Sequence, residues 1–267
     1  MAVIRAEIRT PVARTVGVHL YFPTDLPAPV GNKVQGVITL LHGFGNSGMD
    51  WIAWSAAARY AADNGYILVC PDAENSFYTN MVYGPPWFDI LTEYLPQQLQ
   101  AIFHIPAQRE MNYIAGLSMG GYGAMRIGLA CPERYAAIGS FSGALDMPMV
   151  AQSGDNSMAP WLVPAFGETM ELPSEGNLYR LADKVAALPK ARQPRIYACC
   201  GLQDNDEMQM LAQNDSFARY VKKLPLDFTY QKGNGNHEWK FWDRALAEFI
   251  GFIQNSDYAA KKRADWS

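Results

Sequence analysis

The chain has 267 residues, 49% of them hydrophobic and 18% charged, with a formal net charge of -4. That composition is ordinary for a globular protein, and a chain of this length can bury a large core without disulfides or metals. The weakly acidic balance excludes a basic field that would draw nucleic acid or an anionic membrane, and no apolar run approaches the roughly 18 residues of a membrane span.

The N-terminal residues Met1 to Glu7 lack the charged-then-apolar pattern of a signal peptide, so a cytoplasmic location is expected. Two alternating segments, Ala2 to Thr10 and Thr15 to Phe22, read as a leading, antiparallel pair of strands. The proline-rich stretch from Pro23 to Gly31 reads as a loop. Short apolar runs then alternate with amphipathic segments. The runs are Gly36 to Leu41, Ile67 to Cys70, Tyr113 to Ala115, Ala136 to Phe141, Arg195 to Cys200 and Asp227 to Gln231. Most are almost continuously apolar, as strands buried on both faces of a parallel sheet are. Between them, Trp51 to Asn64 is a helix stopped by Gly65. Phe88 to Phe103 and the glycine-rich Ser118 to Leu129 also read as helices. Helical spacing recurs at Leu178, Leu181, Val185 and Leu188, at Phe217, Val221 and Leu224, and from Trp239 to Ile253. The pattern predicts a single α/β domain over 1–267, with an eight-stranded, mostly parallel sheet and helices on both faces. One stretch, Ala144 to Glu175, breaks the alternation. Its methionines and Trp161 suggest an insertion that forms a lid or shapes a pocket. Lys261, Lys262 and Arg263 read as a solvated tail. The four cysteines have no metal-ligand spacing. Cys70, Cys199 and Cys200 lie in strand-like runs and are expected as buried thiols, with a vicinal Cys199–Cys200 disulfide as the alternative. No metal and no nucleotide is called for.

Residues 116 to 120 read Gly-Leu-Ser-Met-Gly between a strand and a helix. This is the G-x-S-x-G elbow in the context that gives it chemical meaning. A serine on a sharp strand-to-helix turn stands its hydroxyl clear of the sheet's carboxyl edge, at the positive end of a helix. Ser118 is therefore the expected nucleophile of an α/β-hydrolase fold. In that fold the base follows the nucleophile, and His237 is the one histidine after Ser118. It sits in the loop Gly233 to Asn236, ahead of the last helix; His42 is the competing base. The acid belongs after the strand that ends at Cys200, and Asp204 is the choice over Asp206. Two backbone N–H donors are needed for an oxyanion. Met119, next to the nucleophile, supplies one; Phe44, after His42-Gly43, supplies the other. His42 is expected to pack beneath that loop. Phe77, Tyr78, Tyr83, Trp87 and Trp161 are candidates for the substrate pocket.

These stretches resemble the putative-esterase family of α/β hydrolases, and above all bacterial tributyrin esterase-like proteins. The resemblance rests on Leu40 to Gly43, Phe77 to Met81 with Tyr83-Gly84, Gly116 to Ala124, Cys200-Gly201 with Asp204, and His237 to Trp239 with Phe241-Trp242. It implies hydrolysis of short acyl esters through an acyl-enzyme, without a cofactor. It further implies Ser118, Asp204 and His237 as triad, Phe44 and Met119 as oxyanion donors, and self-association into a homo-oligomer. Related S-formylglutathione hydrolases carry His before the serine where this chain has Leu117. A thioesterase remains the rival within enzymes, and a catalytically silent binding module the rival outside them.

Overall fold

The computed structural model describes residues 2–12, 14–24, 33–147, 159–169, 174–205 and 208–265. Eight strands form one sheet: β1 (Ala2–Arg9), β2 (Thr15–Phe22), β3 (Gly36–Leu41), β4 (Tyr66–Pro71), β5 (Asn112–Leu117), β6 (Ala137–Phe141), β7 (Arg195–Gly201) and β8 (Phe228–Gly233). Their spatial order is β1-β2-β4-β3-β5-β6-β7-β8. β2 is antiparallel to β1 and β4, and every pairing from β4 through β8 is parallel. β3 therefore lies between β4 and β5. The loops leaving β3 and β5 emerge side by side, where a doubly wound sheet offers its binding crevice. Leu41 is opposite Gly116 in that register, and Leu117 is opposite Phe141.

Helices cover both faces. On one lie α1 (Asp50–Ala53), α2 (Ala57–Asn64), α9 (Trp239–Gln254) and α10 (Tyr258–Asp265), packed on residues such as Ile38, Leu68 and Phe141. On the other lie α3 (Trp87–Asp89), α4 (Leu95–Phe103), α5 (Met119–Ala130), α7 (Leu178–Ala186) and α8 (Met210–Val221), packed on Val37, Ile114 and Ile196. A π-helical turn, Ile90–Tyr94, joins α3 to α4. Its cause is local: Pro96 has no N–H to return to the carbonyl four residues back. The helix read over Trp51 to Asn64 is divided at Trp54–Ala56. Asp243 accepts from the Ala56 N–H there at 2.6 Å and from the Tyr60 hydroxyl at 2.9 Å, so a distant carboxylate starts α2 where the local pattern saw continuity. The C-terminal cluster lies in α10, and Lys262 pairs with Asp63 at 2.7 Å. Cys199 and Cys200 are buried free thiols on opposite faces of β7, which rules out a disulfide between them.

Part of the irregular stretch is helical: α6 (Ala159–Phe166) buries Leu162, Ala165 and Phe166. Its last carbonyls accept from the Val82 and Tyr83 N–H groups at 3.2 and 3.0 Å. Met149, Met158 and Met170, singled out in the sequence, lie outside the described residues. Among the described residues no helix is long and apolar enough to cross a membrane, and no group of three or more His, Cys, Asp or Glu gathers to hold a metal.

Candidate active site

The ends of β3, β5, β6, β7 and β8 converge on Ser118. Its backbone sits at φ 53, ψ -120, a region costly for a residue with a side chain and sustained only by surrounding structure. That structure is backbone hydrogen bonding. The Ser118 N–H donates to the Phe141 carbonyl at 2.9 Å, and the Ser118 carbonyl accepts from Gly121 and Ala144 at 2.9 and 3.3 Å. At Gly120 a side chain is excluded, because a Cβ would lie 2.2 Å from the Leu41 carbonyl oxygen.

His237 comes from the turn after β8, and Asp204 from the loop after β7. His237 Nε2 stands 2.9 Å from Ser118 Oγ, and Nδ1 stands 3.1 Å from both Asp204 carboxylate oxygens. Since the carboxylate can only accept, Nδ1 carries the proton and Nε2 is left as acceptor for the serine hydroxyl. Asp204 is fully buried. It is tied to its loop by Asp204 N–H to Gly201 O at 3.2 Å and Leu211 N–H to Asp204 O at 2.8 Å, with the Cys200 thiol 3.8 Å from Oδ2. The rival acid Asp206 lies outside the described residues. Trp242 presses edge-on against the imidazole, ring centres 4.9 Å apart. The competing histidine, His42, is not placed to act on Ser118. It is fully buried, with Nδ1 2.8 Å from the Gly43 carbonyl and Nε2 accepting from the Ala73 N–H at 3.0 Å. Burial holds its pKa below the ordinary 6.5, so the neutral ring braces the loop that follows β3.

A cavity of about 250 Å³ opens at Ser118, lined by Phe44, Phe77, Met119, Ala144, Met208, Met210 and His237. Phe44 and Met119, chosen as N–H donors, are thus both at this cavity. Met119 begins α5, so its N–H has no acceptor within the helix. Gly43 brings the β3 loop close: a Cβ there would lie 3.5 Å from Ser118 Cβ and 2.6 Å from Leu117.

The aromatic candidates divide. Phe77 lines the cavity. Tyr78 does not: it is fully buried beneath the β3 loop, and its hydroxyl donates to the His42 carbonyl at 2.7 Å. Phe77 and Tyr78 both have positive φ, 50 and 54, and this paired left-handed turn sends the two rings to different sides. Gly123 makes room for Tyr78, since a Cβ there would come within 2.2 Å of its ring. Trp87 is also core, its indole N–H 3.4 Å from Glu74 Oε2. Trp161 stands at the rim, 52% exposed, its ring edge-on to Phe44 with centres 5.6 Å apart. Tyr83 is exposed beside it in the segment bonded to α6. Sequence reasoning missed Ala144, Met208 and Met210. Their signal was position: Ala144 lies in the loop that leaves β6, and Met208 and Met210 lie past the chosen acid, the second in the first turn of α8.

A parallel sheet switching at β3/β5, with a serine elbow on its carboxyl edge, is the architecture of an α/β hydrolase. A model of the putative esterase family matches residues 11–253, and the chain belongs to that family. An acetyl esterase of Caldicellulosiruptor saccharolyticus is 29% identical over 237 residues, spanning 84% of this chain and 87% of that one. Among solved structures, the Staphylococcus aureus fluorophosphonate-binding serine hydrolase F superposes with a TM-score of 0.81 at 24% identity, covering 94% of this chain and 98% of that one. An S-formylglutathione hydrolase from the same organism superposes with a TM-score of 0.78 at 24% identity and the same coverage.

Proposed function

We propose that this protein is a serine carboxylesterase that removes short acyl groups, acetyl among them, through an acyl-enzyme on Ser118. The observation that carries the reading is the hydrogen-bonded relay from Ser118 Oγ through His237 to buried Asp204, at 2.9 and 3.1 Å. In the first step Ser118 Oγ attacks the ester carbonyl as His237 Nε2 takes its proton. The Phe44 and Met119 N–H groups hold the tetrahedral oxyanion. Collapse expels the alcohol with the proton from His237. Water then attacks the acyl-enzyme, His237 again taking and returning a proton, and the carboxylic acid leaves. Asp204 fixes the imidazole tautomer and stabilises its charged form. The acyl limit is set by the walls Ala144, Met119, Met208 and Met210, because a cavity of about 250 Å³ must hold the scissile carbonyl and the leaving alcohol as well as the acyl chain. The acetyl esterase relative supports the same limit.

Two measurements test this. A fluorophosphonate probe should label the protein and fail to label Ser118→Ala, whose kcat should drop by about 10⁴ or more. Across p-nitrophenyl esters, kcat/KM should fall steeply beyond butyryl. Near-full activity in Ser118→Ala rejects the mechanism, and a flat profile to long chains rejects the small acyl pocket. The four free thiols support a reducing compartment such as the cytoplasm, which cell fractionation checks.

A further inference from the structure

A second cavity, of about 210 Å³, lies between the sheet and the helix that contains the π turn. Val37, Leu41, Val69, Leu91, Leu95 and Ile114 form the apolar part of its lining. An engineered apolar cavity of about 150 Å³ is enough to take up benzene, so this one has room for a compact ring or a chain of roughly six to eight carbons. Three features mark it as open to a ligand rather than as loose packing. Thr39 belongs to central strand β3, yet it is the one residue of that strand that is partly exposed, and it lines the cavity. Tyr135, 6% exposed, also lines it, and its hydroxyl makes no hydrogen bond to a described residue. One wall is the π turn itself, an irregular stretch of helix of the kind often found at functional sites: it contributes Leu91, and Leu95 follows at the start of α4.

The charge of the lining narrows the chemistry. Among the described residues that line it, Arg134 is the only charged side chain. Its nearest carboxylate is that of its own neighbour Glu133, at 3.8 Å. Gln97 and Gln100 complete a polar rim. We propose that this cavity binds a medium-chain monocarboxylate, tail between α4 and the sheet and carboxylate at Arg134. The site is separate from Ser118. It nevertheless ends at Leu41 and Pro71, the residues just before His42 and Asp72. Asp72 accepts from the Gly48 N–H at 2.7 Å, so an occupant presses on the strand ends that carry the oxyanion loop.

The probe is octanoate, titrated calorimetrically into the wild-type protein, with crystals soaked in 8-bromooctanoate to locate the tail. Saturable one-to-one binding is expected, with the bromine between α4 and the sheet. Arg134→Gln, a change on the partly exposed rim, should weaken octanoate by about fivefold or more while leaving 1-octanol unchanged, as expected for loss of one charge-assisted contact. Leu95→Trp should fill the cavity and abolish binding of both; should it fail to fold, Arg134→Gln decides alone. Octanoate affinity unaltered by Arg134→Gln overturns the proposal. So does a bromine found only in the cavity at Ser118. Neither result bears on the esterase mechanism, which the labelling of Ser118 judges independently.

Discussion

The two sides of the cavity at Ser118 are built by different means. On the nucleophile side, Ser118, Asp204 and the loop after β3 are tied by backbone hydrogen bonds: the Phe141 carbonyl holds Ser118, Gly201 and Leu211 hold Asp204, and the His42 ring joins Gly43 to Ala73. On the outer side, Trp161 and Tyr83 are more than half exposed, and two backbone bonds from Val82 and Tyr83 join their segments. The first arrangement suits chemistry, which tolerates little displacement of reacting groups. The second suits selection of a leaving group, where contacts add binding without entering the reaction. Mutations on the inner side should therefore act on kcat at any substrate. Mutations on the outer side should act unevenly across substrates.

The sharpest break is Asp204→Asn. An amide in that buried place can donate to Nδ1 and so leave Nε2 protonated, the wrong tautomer for accepting the serine proton. A loss of about 10⁴ in kcat is expected, with circular dichroism and Tm close to wild type. A loss of only a few-fold would take the acid role away from Asp204 and leave Asp206 as the candidate. Replacing Met208 by Ala works on the same wall more gently. It should extend the accepted acyl chain by two or three carbons, seen as a rise of about tenfold in kcat/KM for hexanoyl over acetyl esters. An unchanged ratio would mean that Met208 is not the end of the acyl pocket.

His42 links the inner side to pH. Its folded-state pKa is held below 6.5 by burial, whereas the unfolded ring binds a proton near that value. Below about pH 6.5 the unfolded state thus takes up a proton that the native state refuses, and stability falls as the pH falls; above it the ring contributes nothing to the slope. Urea unfolding of the wild type from pH 7.5 to 5.5 should show that loss. His42→Gln, which can still donate to Gly43 and accept from Ala73, should flatten the His42 contribution and lower kcat by about tenfold through a less rigid loop. An identical pH slope in both proteins would mean that His42 is not what titrates.

The difference between the two sides also explains what the sequence could reveal. Ser118, His237 and Asp204 were legible because each lies at a strand end, and alternation of strands and helices locates strand ends. The elbow glycines carry a local steric signature as well. Tyr78 and Trp87 were misjudged as pocket residues because an aromatic near a motif has no local mark of which way it faces. For Tyr78 that depends on two successive left-handed residues and on Gly123, more than forty residues away. The start of α2 depends on Asp243, near the other end of the chain. Met208 and Met210 needed only the observation that residues just past the Asp204 loop line the same cavity as Ser118.

Trp161 offers the finest test of the outer side. Its ring meets Phe44 edge-on at the rim and leaves about half its surface to solvent, so a flat leaving group can stack there and gain about 0.5–1.5 kcal/mol. Trp161→Ala should then lower kcat/KM for naphthyl acetate by about three- to tenfold, chiefly through KM, and leave methyl acetate unaffected. Both esters share one acyl-enzyme, so deacylation cancels in the comparison. If Trp161 instead steadies the Phe44 N–H, both esters lose kcat together, and the division between a rigid chemical side and a selective outer side gives way to a single coupled wall.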